Sequence, residues 1–284
     1  MSSEPDCAAP PAKPRTPGVR LPAKACDTHL HVFADPAVYP LWPGRGYTPH
    51  TCSLLQYREL MRALGVERAV LVQPSVYGTD NRALLDALET GGPAFRGVVV
   101  PSPLVDEDTL ARMDDLGVKG FRLNLVNPAV LSVDQAAALA RRVADRGWHM
   151  VLQVNLARDG VAPLQALAER VALPIVIDHF GFPGPGGIPH ELLSMLEQGR
   201  CWVKLSGAYR LGVEERALKS MVRALAAANP ERLLWGSDWP HTDLRQTVHA
   251  AEWVDRLFDW LPQPALREQV FAANPARLYG YTED

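Results

Sequence analysis

Short apolar runs alternate along the chain with segments in which apolar residues recur every three or four positions. Most of the runs are continuous in Val, Ile and Leu, which is typical of strands buried on both faces, whereas the intervening spacing predicts amphipathic helices. The predicted strands cover residues 25–33, 67–73, 95–101, 117–125, 148–154, 173–180, 200–207 and 232–238. The predicted helices cover residues 53–64, 79–91, 106–116, 132–147, 159–171, 189–198, 212–228, 243–260 and 264–278.

The alternation of eight strands with helices predicts a single-domain (β/α)8 TIM barrel over residues 21–284. Several predicted helices begin at good N-cap residues, Ser53, Asp106 and Ser132, and one ends at Gly147. A doubly wound open sheet is the alternative, but no G-x-G-x-x-G motif follows the first predicted strand. The barrel is therefore the favoured architecture.

The first twenty residues differ in composition from the rest of the chain. They are rich in Pro, Ala and Ser and contain almost no large apolar side chain. Such a segment buries too little surface to offset the loss of chain entropy on ordering. We therefore expect residues 1–20 to form a disordered or loosely docked arm that precedes the barrel.

The charge and cysteine content exclude several classes of protein. A net charge of -3 and a pI near 6.2 give no reason to expect a nucleic acid or an anionic membrane as partner. No apolar run approaches the roughly 20 residues of a membrane helix, and the first residues lack a signal-peptide pattern, so we expect a cytoplasmic protein. The four cysteines form no C-x-x-C pair and are expected to be reduced. The oligomeric state stays open, and a homo-oligomer is compatible with the sequence.

Two histidines, His29 and His31, lie two positions apart in the first predicted strand. Because side chains alternate along a strand, both project from one face, about 6 to 7 Å apart along the chain. Two imidazoles at this separation can share a metal ion or hold one polarised oxygen, and the simpler alternative is a hydrogen-bonded surface pair. Their partners elsewhere in the chain decide between these interpretations.

Polar residues are concentrated where the other predicted strands end. In a (β/α)8 barrel the carboxyl ends of the strands meet at one face, which is where catalytic residues lie. A buried strand has no structural need for charged side chains, which are costly to bury unpaired. The residues at these ends include Gln73, Ser75, Arg122, Asn124, Gln153, Asp178, His179, Lys204, Tyr209, Arg210, Asp238 and His241.

Four of these motifs together resemble the amidohydrolase superfamily. They are Asp-Thr-His-Leu-His at 27–31, Ile-Asp-His-Phe-Gly at 177–181, Trp-Gly-Ser-Asp-Trp-Pro-His at 235–241 and Asn-Pro-Ala-Arg-Leu-Tyr at 274–279. Within the superfamily, the chain is most similar to the branch that holds 2-pyrone-4,6-dicarboxylate lactonase, sulfomuconolactone hydrolase and galactarolactone isomerase. The resemblance implies a hydrolase that acts on a small anionic lactone, in catabolism of aromatic compounds or sugar acids.

The chain departs from the superfamily pattern at the positions that hold a second metal. Where many members have a carboxylated lysine and a histidine, this chain has Arg122, Asn124 and Gln153, which argues against a binuclear centre. A guanidinium close to a dication is unfavourable, and the lactonase branch includes members that work without metal, so no cofactor is the favoured expectation. The alternative is one zinc ion, held by His29, His31, His179 and Asp238.

The resemblance also implies roles for individual residues. Asp238 is the expected general base that deprotonates water, and His29, His31 and His179 are expected to polarise the carbonyl and stabilise the oxyanion. Arg122 is the main candidate for binding the substrate carboxylate, because a guanidinium can donate two parallel hydrogen bonds. The further predicted substrate contacts are Tyr47, Ser75, Gln153, Tyr209, Arg210 and His241.

The choice of lactone stays open. The dicarboxylate lactonase has a second arginine shortly after the strand 4 arginine, but residues 125–129 of this chain contain none. A second carboxylate would need Arg45, Arg158 or Arg210, or else the substrate carries a single carboxylate, as a muconolactone-like or sugar lactone can. The alternative activities are a zinc-dependent decarboxylase or a lactone isomerase of the same superfamily, and a barrel that has lost its activity is the non-enzymatic alternative.

Overall fold

The computed structural model describes residues 5–127, 130–244 and 246–282, and it confirms the (β/α)8 barrel. Eight parallel strands are neighbours in their order along the chain, each separated from the next by helical segments. The strands are β1 (Cys26–Leu30), β2 (Arg68–Val72), β3 (Phe95–Val99), β4 (Val118–Asn124), β5 (His149–Gln153), β6 (Ile175–Ile177), β7 (Cys201–Ser206) and β8 (Leu233–Gly236).

The barrel closes where the first strand meets the segment after the last strand. A parallel bridge joins Leu30 to Trp239. On either side of it, the Asp238 amide donates to the His29 carbonyl at 2.8 Å and the His31 amide donates to the Trp239 carbonyl at 2.8 Å. These bonds hold the segment that carries Asp238 directly beside the two histidines of β1.

The helices surround the barrel, and Ser53, Asp106 and Ser132 cap theirs as the sequence predicts. Each of the three side chains accepts a hydrogen bond from the backbone N–H three residues later, which satisfies an otherwise unpaired donor. The helices are α1 (Leu54–Leu64), α2 (Arg82–Gly91), α3 (Glu107–Asp115), α4 (Val133–Arg142), α5 (Leu156–Asp159), α6 (Ala162–Arg170), α7 (His190–Glu197), α8 (Glu215–Ala228), α9 (Ala250–Trp260), α10 (Pro264–Glu268) and α11 (Asn274–Tyr279), with a π-helix at Gln269–Ala273 between the last two.

Several predicted helices have different boundaries in the structure. The one predicted over 132–147 ends at Arg142, and a 3-10 turn, Ala144–Arg146, leads to Gly147. The one predicted over 159–171 begins only at Ala162, because a separate short helix, α5, precedes it and ends at Gly160, whose φ is +69°. The one predicted over 243–260 begins only at Ala250, and the preceding residues form a loop. The one predicted over 264–278 contains the π-helical turn. Apart from the π-helical turn, these differences lie at element ends, where turns and loops compete with helix propensity.

The strands contribute side chains to two apolar clusters. The larger cluster contains Ala69 and Leu71 of β2 together with most of the buried apolar side chains of the helices. Val70 and Val72 of the same strand belong to the smaller cluster. The smaller cluster includes Tyr281, whose hydroxyl donates to the Ala69 carbonyl at the start of β2. The C-terminal segment thus packs at the amino ends of the strands, opposite the ends that carry the polar residues.

The N-terminal arm makes backbone contacts along its described part. Residues 5–20 contain no helix or strand. The Asp6 amide donates to the Thr48 carbonyl at 3.0 Å, and the Ala8 amide donates to the Leu244 carbonyl at 2.6 Å. Arg15 forms an ion pair with Glu252 in α9. Within the described ranges, no helix combines the length and the apolar character that crossing a bilayer requires.

Candidate active site

A cavity of about 250 Å³ lies at the carboxyl ends of the strands. Among the residues that the sequence predicts for the site, all except His29, Tyr209 and His241 line this cavity. Its lining consists of His31, Tyr47, Ser75, Arg122, Val126, Asn127, Gln153, His179, Phe182, Arg210, Asp238, Thr242, Asp243 and Leu244. The position agrees with the general location of catalytic sites in (β/α)8 barrels.

His31, immediately after β1, presents a lone pair to the cavity. Its Nδ1 lies 2.7 Å from the Val72 carbonyl oxygen, and a carbonyl only accepts, so Nδ1 carries the proton. Burial and the charge of Arg122 lower the pKa of His31 to about 4. The imidazole is therefore neutral at neutral pH, and its Nε2 is an acceptor. A neutral His31 can hold a water molecule, but it cannot donate to a carbonyl oxygen.

His29, in β1, lies below the cavity between two carboxylates. Its Nδ1 is 3.2 Å from Asp178 Oδ1 and 3.3 Å from Lys204 Nζ, and its Nε2 is 3.7 Å from Asp238 Oδ1. The Nε2 atom is buried without a hydrogen-bond partner among the described residues. Burial lowers the pKa of His29 well below its ordinary value, although Asp178 opposes this. His29 is thus a neutral imidazole with one nitrogen held and the other unpaired.

His179 follows β6 in a turn with strained backbone. The residues His179 and Phe180 have φ values of +52° and +59°, a region that side chains other than glycine rarely adopt. The His179 Nδ1 lies 2.9 Å from the Ser206 hydroxyl, and its Nε2 lies 3.9 Å from Asp238 Oδ1. Burial lowers the pKa of His179, so this third imidazole is also neutral. The turn directs the His179 ring toward the end of β8.

Asp238 is held through one of its two carboxylate oxygens. Oδ2 accepts hydrogen bonds from Arg210 Nε at 2.6 Å and from the Tyr209 hydroxyl at 2.7 Å. Oδ1 faces His29 and His179 at distances too long for hydrogen bonds. Burial alone would raise the pKa of Asp238, but the Arg210 charge and the nearby imidazoles outweigh it and hold this pKa well below its ordinary value. Asp238 is therefore ionised, and its Oδ1 has room to accept a proton from a bound molecule.

The donor atoms of these residues fit one zinc ion. The ligand atoms of His29, His31 and Asp238 lie within 4.8 Å of one another, and His179 Nε2 lies 3.9 Å from Asp238 Oδ1. The unpaired Nε2 of His29 is a further observation that fits a ligand. Three imidazoles and a carboxylate form a donor set that zinc accepts. The residues present would hold a zinc ion as His29, His31, His179 and Asp238.

Arg122 points from β4 toward the cavity and is also part of an ion pair. Its Nη2 donates to Gln153 Oε1 at 2.6 Å and lies 3.2 Å from Asp178 Oδ2. Its Nε is buried and has no hydrogen-bond partner in the described part of the chain. Arg122 thus lines the cavity, while its Nε donor is unused and shielded from solvent. The charge is balanced by Asp178, whose pKa is held well below its ordinary value by Lys204, His29 and Arg122 against the opposing effect of burial.

Two predicted substrate contacts lie behind Asp238 rather than in the cavity. The Tyr209 hydroxyl is 2.7 Å from Asp238 Oδ2 and 2.7 Å from His241 Nδ1. His241 lies on the far side, beside Pro10 and Pro11 of the N-terminal arm. Both side chains are therefore placed to orient the carboxylate. Tyr47, in contrast, lines the cavity, and its hydroxyl accepts a hydrogen bond from Thr242 at 3.3 Å.

The residue-level predictions omit several groups that shape the site. Asp178 and Lys204 lie at strand ends, and both are completely buried, with Nζ 3.2 Å from Oδ1. Both charged residues were visible in the sequence, beside or within an apolar strand. Their contacts with His29, however, depend on the three-dimensional arrangement. The cavity-lining residues Phe182, Thr242 and Asp243 lie in loops that have no hydrophobic periodicity, so pattern analysis gives no signal for them.

The fold and the site define the class of protein. A (β/α)8 barrel that brings together imidazoles after β1 and β6 and a carboxylate after β8 is the arrangement that the amidohydrolase resemblance implies. The family model described as Amidohydrolase matches residues 26–281, and the chain belongs to this family.

Several known proteins are similar in sequence to this chain over nearly its full length. The 4-sulfomuconolactone hydrolase of Rhizobium radiobacter is 34% identical, and the match covers 97% of this chain and 96% of the relative. The 2-pyrone-4,6-dicarboxylate hydrolase of Comamonas testosteroni is 33% identical, with 94% of both chains covered. A crystal structure of a Pseudomonas putida protein, described as a candidate 2-pyrone-4,6-dicarboxylic acid hydrolase, is 36% identical with a TM-score of 0.82 and covers 93% of this chain and 100% of the other.

Proposed function

We propose that this protein is a hydrolase that opens a small carboxylated lactone by attack of an activated water molecule. The observation that carries the proposal is one cavity in which Asp238 and neutral imidazoles face two guanidinium groups, Arg122 and Arg210. This combination places a proton acceptor and polar carbonyl partners next to anion-binding side chains. The names of the relatives from Rhizobium radiobacter and Comamonas testosteroni, both lactone hydrolases, support the same reaction class.

The anionic part of the substrate is assigned to the two arginines. Both arginines line the cavity, and Arg210 Nε is bonded to Asp238. A guanidinium pairs well with a carboxylate because its donors form a planar fork. Ser75, Gln153 and Tyr47 complete the wall and offer uncharged hydrogen-bonding groups. We assign to them the ring substituents of the lactone.

Water activation is assigned to Asp238 and His31. Asp238 Oδ1 is free of strong hydrogen bonds, so it can take a proton from water that attacks the lactone carbonyl carbon. The sequence analysis assigned His31 to the carbonyl oxygen. Its proton, however, is held on Nδ1 by the Val72 carbonyl, and its lone pair therefore suits the same water molecule. This assignment replaces the carbonyl role of His31.

The carbonyl oxygen is assigned to the Nε2 atoms of His29 and His179. An N–H group at each Nε2 donates a hydrogen bond to the carbonyl oxygen. This bond stabilises the negative charge that develops on the oxygen as the tetrahedral intermediate forms. When the intermediate collapses, the ring C–O bond breaks and the ring oxygen leaves. The proton that Asp238 took from water goes to this leaving oxygen, so one lactone and one water give one ring-opened acid.

We propose that these side chains carry out the reaction without a metal ion. Arg122, Arg210 and Lys204 face only two carboxylates, Asp178 and Asp238, so these paired groups already carry a net positive charge, and adding a dication to them is electrostatically unfavourable. A zinc ion held by the four residues named above would supply Lewis-acid polarisation of the carbonyl. Metal analysis separates the two accounts: full activity of metal-stripped protein supports this proposal, and activity that requires stoichiometric zinc contradicts it.

The function is tested with a panel of small lactones with zero, one and two carboxylates, read by proton release at neutral pH. We expect hydrolysis of carboxylated lactones and none of the uncarboxylated ones. Arg122→Met should raise KM for the best substrate, whereas Arg112→Met, which changes an arginine of α3 outside the cavity, should not. Absence of hydrolysis across the panel, or equal rates with and without the carboxylate, would contradict the proposal.

A further inference from the structure

Lys204 is a completely buried cation that the proposed reaction steps do not use. It lies in β7 with its side chain fully excluded from solvent. Its Nζ is 3.2 Å from Asp178 Oδ1 and 3.3 Å from His29 Nδ1. Burying a charged amine is costly unless it is paired, and Asp178 is the counter-ion here. The contact with His29 has no such structural explanation.

The identity of the proton-bearing nitrogen decides what His29 can do. A neutral imidazole carries its proton on one nitrogen only, and the other is an acceptor. If Nε2 carries the proton, His29 can donate to a substrate carbonyl oxygen. If Nδ1 carries it, Nε2 presents a lone pair, which suits a metal ion and not a carbonyl. The neighbours of Nδ1 therefore determine the chemistry available at Nε2.

Lys204 and Asp178 compete for this nitrogen. An ammonium group has donors and no acceptor, so Lys204 stabilises a bare Nδ1, whereas Asp178 accepts and would stabilise a protonated Nδ1. With the proton on Nδ1, two donors would face each other across 3.3 Å, and with Nδ1 bare, two acceptors would face each other across 3.2 Å. Asp178 has other donors, because Lys204 and Arg122 both lie 3.2 Å from it. Asp178 therefore does not depend on a donor from His29.

We propose that Lys204 is a positioning residue that keeps the proton of His29 on Nε2, where it faces the reacting carbonyl. Among the three imidazoles, His31 is held in the opposite form by the Val72 carbonyl, and the Ser206 hydroxyl beside His179 can either donate or accept. His29 is the one of the three whose Nδ1 contacts a cation, and this contact favours the proton on Nε2. The consequence for rate rests on the proposed hydrolysis, but the position of the proton does not.

The unmodified protein provides the first test. Long-range ¹H–¹⁵N NMR on protein labelled in histidine shows which ring nitrogen of each imidazole carries the proton, with His29→Gln identifying the His29 signals. We expect His29 protonated on Nε2 and His31 on Nδ1. A His29 proton on Nδ1 in the unliganded protein would overturn the proposal, and this measurement needs no folded variant of Lys204.

The second test removes the ammonium group. Lys204→Met should move the His29 proton to Nδ1 and lower kcat about 100-fold, the loss typical of one oxyanion donor, with KM unchanged. The matched control is Lys119→Met, which removes a lysine paired with Asp114 at 3.1 Å away from the cavity, and it should change neither readout. A Lys204→Met protein that keeps the Nε2 proton would contradict the proposal. The two proposals can also be told apart. If the spectra are as expected but the unmodified protein hydrolyses no lactone, the effect of Lys204 on the His29 proton is supported and the proposed function is contradicted.

Discussion

Replacing Arg210 with Met should shift the pH dependence of the reaction toward higher pH. Arg210 Nε lies 2.6 Å from Asp238 Oδ2, and the two side chains are 15% and 2% exposed. An opposite charge at this distance lowers the pKa of a carboxyl by about 1 to 3 units. In the unmodified protein, Asp238 therefore stays ionised at any ordinary working pH. Without Arg210 the pKa of Asp238 rises, and the ionised base is lost as the pH falls through this new value.

The expected result is an acid limb in kcat/KM that lies about 1 to 3 pH units higher in Arg210→Met than in the unmodified protein. KM should also rise, because the guanidinium lines the cavity. Loss of a buried partner should lower the free energy of unfolding by about 3 kcal/mol, so urea titrations accompany the kinetics.

Arg170→Met is the matched control. Arg170 pairs with Asp134 at 2.5 Å on the surface, so its loss should leave the pH profile unchanged. An identical acid limb in Arg210→Met and in the unmodified protein would refute the assignment of Asp238 as the base that Arg210 tunes.

The other predictions concern stability and the support of the site. Unfolding exposes histidines that the folded protein keeps neutral, so below about pH 6.5 the unfolded chain binds more protons, and the free energy of unfolding should fall by about 4 kcal/mol per pH unit near pH 5.5. Urea titrations from pH 7 to 5 measure this, and a constant value would contradict it. The histidines responsible are His29, His31, His149, His179 and His241, and Asp27 offsets part of their effect because burial raises its pKa to about 6. Tyr209→Phe removes a hydroxyl 2.7 Å from Asp238 outside the cavity, so steady-state kinetics should show kcat about tenfold lower with KM unchanged; a higher KM alone would indicate a substrate contact instead. Gly207→Ala places a Cβ 2.8 Å from His179 Nδ1 and should lower kcat at least about tenfold. The control is Gly65→Ala, at a similar positive φ but with open space around it, which should reduce stability only. Equal activity of both glycine variants would contradict the role of this close contact.

The architecture could be predicted because each strand leaves a strong signal. All eight strands occur within the predicted runs, since β-branched residues buried on both faces form nearly continuous apolar stretches. Helix ends were less predictable. The loop before α9 contains Asp238, His241 and Asp243 in left-handed conformations, and these polar residues carry no glycine signal that would announce a turn.

The candidate site could be predicted as a set of strand ends but not as a network. Position along a strand is sufficient to place His31, His179 and Asp238 at one face of a barrel. Whether a polar residue there points into the cavity or supports its neighbour depends on side-chain contacts. Tyr209 was predicted as a substrate contact, yet its hydroxyl lies against Asp238 and His241.

The direction of each hydrogen bond was also beyond sequence analysis. His29 and His31 occur in one motif and look equivalent in the sequence. In the structure, a backbone carbonyl contacts His31 Nδ1, whereas Asp178 and the ammonium of Lys204 contact His29 Nδ1. These partners come from other strands, β2, β6 and β7, and they give the two imidazoles opposite abilities to donate. Motif resemblance alone assigns both the same role.

The most direct test of the account is hydrolysis of the best carboxylated lactone by metal-stripped protein, compared with Asp238→Asn prepared in the same way. Asparagine keeps the size of the side chain but cannot take a proton from water. We expect the unmodified protein to remain fully active and Asp238→Asn to lose a factor of about 100 to 10,000 in kcat, the range typical of general acid–base catalysis. Equal rates for the two proteins, or no activity in the unmodified protein until zinc is returned, would contradict the account.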